Sequence, residues 1–114
     1  MGQMQRTVGV SNLKTAIVTA KAGRTVNPLD ITITNTDTAA HIVDFFDGVA
    51  GATPIFTLFV PSDGTVGGGA FHSDREKWLT AMSQKLSPGN ALAAASRNAV
   101  GGAGLEFFVD FGRL

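Results

Sequence analysis

Leu29-Asp30-Ile31-Thr32-Ile33-Thr34-Asn35 alternates apolar and polar side chains along its length. That period of two places Leu29, Ile31 and Ile33 on one face and Asp30, Thr32 and Thr34 on the other, as a half-buried strand requires. Ile and Thr are β-branched and favour the pleated conformation. Asn35-Thr36-Asp37-Thr38 follows, and Asn and Asp side chains hydrogen-bond their own nearby backbone in turns.

Outward from this strand the same grammar repeats. His41-Ile42-Val43-Asp44-Phe45-Phe46-Asp47, closed by Gly48, reads as a strand with one buried face. Thr53 to Pro61 reads as another, with Pro54 and Pro61 at its ends, where a residue lacking a ladder donor belongs. Ser62-Asp63-Gly64 makes the next turn. Upstream, Thr15 to Lys21 forms a strand, and Arg6 to Val10 forms a weak edge strand or an ordered arm. Downstream, Leu105, Phe107, Val109 and Phe111 fall in phase on a final strand, expected to be central to the core.

Two segments stay open. Ser73 to Met82 reads as a short helical turn around 74–82, with Ser73 and Glu76 in a capping-box pattern and Trp78, Leu79, Met82 and Leu86 on one apolar stripe at helical spacing. It also reads as a strand with Trp78, Thr80 and Met82 on one face. Ala91 to Ser96 favours helix by intrinsic preference, yet lies between Ser87-Pro88-Gly89-Asn90 and Gly101-Gly102 in a chain that is otherwise β. Strand is the expectation for both. About seven or eight short strands with turns every ~8–12 residues predict an all-β fold, an antiparallel β-sandwich or jelly-roll-like barrel. The expected organisation is an N-terminal arm or edge strand over 1–12 and one β-sandwich domain over 13–114.

Composition narrows the function. The chain of 114 residues has nine basic and nine acidic side chains and no cysteine. Its basic residues are spread singly, so the clustered cations that neutralise nucleic-acid phosphates are missing, and no nucleic-acid partner is expected. Absence of cysteine rules out disulfides and thiolate chemistry. No stretch approaches the about 20 apolar residues that span a bilayer, so no membrane partner is expected. Met1 to Arg6 lacks the apolar region of a secretory signal.

Candidate chemistry is thin. His41 with Asp44 and Asp47 is the densest metal-like group, but on a strand Asp44 points away from the other two. His72, Asp74 and Glu76 share one strand face. No Gly-x-Ser-x-Gly elbow occurs, and the serines sit in turn-like or alanine-rich contexts. Asp44 with Asp47, and Glu106 with Asp110, look like strand-surface charges. Gly67-Gly68-Gly69 lacks the Lys-Ser/Thr of a phosphate loop. No catalytic residue, metal or cofactor is therefore expected. In Phe45-Phe46 and Phe107-Phe108, adjacent side chains on a strand point to opposite faces, so one of each pair turns outward. Phe45, Phe46, Phe107, Phe108, Val8 and Val10 are the candidate contact residues for another subunit.

The block Asn35 to Gly48, the Ile55 to Pro61 strand, the Pro88-Gly89-Asn90-Ala91-Leu92 turn and the closing aromatic strand resemble small structural proteins of tailed bacteriophages. The likeness is one of pattern and size over roughly residues 25–114, without a signature motif. It implies a non-enzymatic virion protein of the head-decoration or cement type. Such a protein binds a major capsid protein or another virion lattice protein, as a homo-oligomer (dimer or trimer). It is made soluble in the host cytoplasm and ends in the virion. The alternative it implies is a tail or fibre component that binds a receptor or glycan.

Overall fold

The computed structural model of the chain describes residues 3–66 and 86–112. Their eight strands are β1 (Gln3–Val10), β2 (Thr15–Val18), β3 (Pro28–Asn35), β4 (His41–Asp47), β5 (Phe56–Val60), β6 (Gly64–Val66), β7 (Leu92–Ser96) and β8 (Leu105–Phe111). They form two four-stranded sheets, ordered β1-β8-β3-β6 and β2-β7-β4-β5. Every pairing is antiparallel. The two sheets pack face to face as a β-sandwich. Of the seven connections, only β4 to β5 stays within one sheet; the other six cross between sheets. This is the strand order of a jelly roll, two interleaved Greek keys. Among the described residues, no helix is long and apolar enough to cross a membrane.

The core lies between the sheets. Val10, Ile31, Ile33, Leu105, Phe107, Val109 and Phe111 come from the first sheet, and Ile17, Val18, Val43, Phe45, Val60, Leu92 and Ala94 from the second. Phe45 and Phe107 meet edge to face across the gap, with ring centres 6.3 Å apart. The quadrupoles of two aromatic rings favour that geometry. β8 sits between β1 and β3 and buries alternate residues from Leu105 to Phe111.

Three details differ from the sequence expectation. Leu29 is exposed, while Ile31 and Ile33 are enclosed. The β3–β8 register shifts between Pro28 and Asp30, so Leu29 is an extra residue of a β-bulge and leaves the alternation. β6 is a strand of three residues after the turn at Asp63, whose φ is 52°; three residues carry too little pattern to be read. β2 ends at Val18, sooner than the Thr15 to Lys21 segment, and β5 begins only at Phe56, later than the Thr53 to Pro61 segment. The reading of 74–82, and with it Trp78 and the His72-Asp74-Glu76 set, lies outside the described residues.

Candidate interaction surface

At one end of the sandwich a chain of polar side chains is locked between the sheets. Asn35 Nδ2 donates to the carbonyls of Ala39 (3.0 Å) and Pro61 (3.1 Å), and Asn35 Oδ1 accepts from Asp37 N (2.9 Å). Asp37 Oδ2 lies 2.7 Å from His41 Nε2 and also accepts from Gly101 N at 3.0 Å. His41 Nδ1 lies 3.1 Å from Ser96 Oγ. An ionised carboxylate can only accept, so Nε2 carries the proton toward Asp37, and in the neutral ring Ser96 donates to Nδ1. The His41 hydrogen bond, seconded by Gly101 N against a smaller opposing effect of burial, lowers Asp37 to about 2.

Asp, His and Ser in a row suggest a nucleophile relay. The geometry is that of a clamp. His41 is 4% exposed and Ser96 3%, and both face inward among core residues. Ser96 Oγ is turned away from solvent, toward the His41 ring. The clamp ties the β3–β4 turn to β7 and to the β7–β8 loop.

On the outer face of the second sheet, Asp44 accepts from Arg97 Nε (2.9 Å) and Nη2 (3.2 Å) and from Thr57 Oγ1 (2.6 Å). Burial raises the Asp44 carboxyl, but the bonds from Arg97 and Thr57 outweigh it and hold the group below its ordinary range. Asp47 behaves alike: burial raises it, while Ser87 N, Ser87 Oγ and Asn90 Nδ2 together lower it. His41, Asp44 and Asp47 thus serve three separate networks and do not converge. Among the described residues, no group of three or more His, Cys, Asp or Glu could hold a metal ion.

The centre of that outer face is already closed. Phe46, Ala93 and Ala95 form a small buried cluster of their own. The Lys14 ammonium sits 4.5 Å from the Phe46 ring centre, and Lys14 Nζ donates to the Gly51 carbonyl. Exposed apolar surface is left near the β5 edge, where Ile42 pairs with Phe59.

The outer face of the first sheet is different. The β1–β8 register sets Met4 opposite Asp110 and Arg6 opposite Phe108, and β3 sets Thr32 on the other side of Phe108. Met4 is 62% exposed and Val8 55%. Arg6 lies over Phe108, 5.8 Å from the ring centre, and donates through Nε to Glu106 at 2.9 Å. Beside this row a cleft of 370 Å³ opens, walled by Arg6, Val8, Thr34, Thr36 and Glu106. Its floor includes Gly9 and Gly104, where the two backbones come close. The face therefore offers an apolar rim, one balanced ion pair and hydroxyl groups around a depression.

The six candidate contact residues separate cleanly. Val8 and Phe108 lie on this outer face. Phe45, Phe107 and Val10 are fully enclosed, which corrects their assignment as contact residues: Phe45 and Phe107 point inward by strand alternation, and Val10, two residues from the outward Val8, is turned into the core by the β1–β8 register shift at Gly9. Phe46 faces outward but is buried. Sequence reasoning missed Met4, Arg6 and Glu106, because neither the exposure of an edge strand nor a pairing 100 residues apart is visible in local pattern. It also missed the true partners of His41. Asp37 was readable only as a turn residue, and Ser96 is 55 positions away.

Compared with protein families and with curated proteins, the sequence matches no family model and no curated relative.

Proposed function

We propose that this chain is a non-enzymatic virion structural protein, a decoration or cement protein that binds the assembled head of a tailed phage through the outer face of its first sheet. The observation that carries the reading is the division of the molecule. The chemistry-bearing groups His41, Ser96, Asp44 and Asp47 are committed to hydrogen bonds within the chain, while exposed Met4 and Val8 and half-buried Phe108 share one outer face, with Val8 at the mouth of a cleft. The jelly-roll order adds a weaker support, since viral capsid domains use that architecture, as lectins also do.

A cement protein that touches neighbouring lattice subunits at once binds only the assembled state and stabilises it by mass action. Apolar contact supplies about 25 cal/mol per Å² removed from water. Balanced charge suits repeated copies on one lattice, because neighbours do not repel each other.

The test is co-sedimentation of the purified chain with undecorated, expanded heads of the phage that encodes it. Saturable binding that is lost in Val8→Asp and Phe108→Asp supports the proposal. Failure of the unaltered chain to bind such heads overturns it. The cleft favours a second reading, a tail or fibre module that takes a glycan. Glycan-array binding abolished by Thr34→Ala and Thr36→Ala, with no head binding, would select it instead.

A further inference from the structure

Among the described residues the two sheets have four edge strands: β1 and β6 on the first, β2 and β5 on the second. An edge strand offers unpaired backbone donors and acceptors to any other strand, and folded proteins blunt such edges with short strands, Pro, charged side chains or β-bulges. Three edges are blunted here. β6 has three residues and β2 four, and β5 has five with Pro54 and Pro61 beyond its ends. β1 has eight residues, Gln3–Val10, without Pro or Lys; its one charge, Arg6, is paired with Glu106, and its register shift lies beyond Thr7, so Gln3–Thr7 is a regular stretch with an open edge among the described residues.

We propose that β1 pairs antiparallel with β1 of a second copy of this chain, joining the two first sheets into one continuous eight-stranded sheet. Antiparallel pairing of identical strands about a two-fold axis is self-complementary, as an isologous contact must be. Charge permits it. Arg6 is the only charged residue of β1, and Glu106 of its own copy already balances it. A register with Gln5 on the axis keeps Arg6 from facing Arg6 and confines the pairing to Gln3–Thr7, the stretch before the β1–β8 register shift. It pairs Met4 with Arg6, Gln3 with Thr7, and Gln5 with Gln5. The ladder stops before Gly9, whose φ of 73° lies at the β1–β8 register shift. The exposed Met4 side chain then lies along the apolar stem of the other copy's Arg6. The outer faces of both sheets form one platform. The pairing does not depend on the virion reading, since it belongs to the chain alone.

The chain has no cysteine, so single-cysteine variants report without background. With Gln5 on the axis, residues at position 4 of the two copies are two positions apart along the ladder, about 7 Å, and those at position 8 about 20 Å. Sedimentation velocity on the full chain should show a dimer. A short bismaleimide should cross-link Met4→Cys and leave Val8→Cys uncross-linked. Met4→Lys sets Lys opposite Arg6 twice in the dimer and should weaken association about tenfold. Leu13→Lys, in an exposed loop, should leave it unchanged, with circular dichroism confirming the fold of each variant. A chain that stays monomeric up to about 1 mM overturns the proposal. So does a dimer that cross-links at position 8 and not at position 4, or that ignores Met4→Lys. Loss of head binding with this dimer intact counts only against the virion reading.

Discussion

Gly104 carries a stringent test of the packing between β1 and β8. Its φ is 77°, and a Cβ built there would lie 2.9 Å from both the Cα and the carbonyl carbon of Gly9 and 3.1 Å from the Val10 oxygen. These are backbone atoms of the edge strand, so the clash is relieved only by moving β1 off β8 at their register shift. Gly104→Ala thus costs twice. The left-handed backbone disfavours Ala by about 1–2 kcal/mol. Forcing extra volume into a packed contact adds about 1–3 kcal/mol. Gly23→Ala is the control, because its φ is 72° and nothing lies within 4 Å of the new Cβ. It bears the conformational cost alone. The change in the unfolded chain is the same for both substitutions and cancels in the comparison. Urea unfolding followed by circular dichroism reads the difference. With a slope of about 1–3 kcal/mol per molar urea, Gly104→Ala should fall below Gly23→Ala by about 1 M in midpoint. Equal midpoints would refute the close approach of Gly9 and Gly104.

Three further outcomes follow from the same geometry. Thr7 Oγ1 is buried without a hydrogen-bond partner among the described residues, so Thr7→Val should raise stability by about 1 kcal/mol in urea titration; a loss would mean the hydroxyl is satisfied. Asp37, Asp44 and Asp47 are all held below the ordinary carboxylate range, Asp37 at about 2. A depressed carboxylate stabilises the fold above its unfolded value of about 4 and loses that contribution as pH falls toward the folded value. The urea midpoint should therefore be level from pH 7 to about 5 and decline below about 4, with a shallower decline in Asp37→Asn. Arg97→Ala should lower the midpoint more than Arg6→Ala, because Arg97 serves a carboxylate whose side chain is 11% exposed and Arg6 one that is 28% exposed. The reverse order would show that burial of Asp44 is not what makes its ion pair matter.

Alternation made the sandwich legible wherever one strand face is buried and the other wet. β8 is the clear case, since its inward set Leu105, Phe107, Val109 and Phe111 is the set read from its spacing. The signal fails for identifiable physical reasons. β7 buries all five residues on both faces, which removes any period, and its alanines favour helix until pairing with β2 and β4 overrides that preference. Leu29 left its phase because a bulge inserted one residue. The contact surface was half legible. Phe-Phe pairs announce that one ring turns outward, but which ring is free depends on the opposite sheet and on neighbours such as Lys14 over Phe46. The buried clamp through His41 was illegible, because its members come from a turn, a strand end and a distant strand.

The outer face of the first sheet is the proposed working surface, and hydroxyl-radical footprinting of side chains tests that directly. The chain is compared alone and with undecorated heads, at equal concentration. Reduced labelling of Met4, Val8 and Phe108 with unchanged labelling of Phe59 is the predicted result. Protection of Phe59 and Ile42 with no change at Met4, Val8 and Phe108 would place the contact on the second sheet and contradict it.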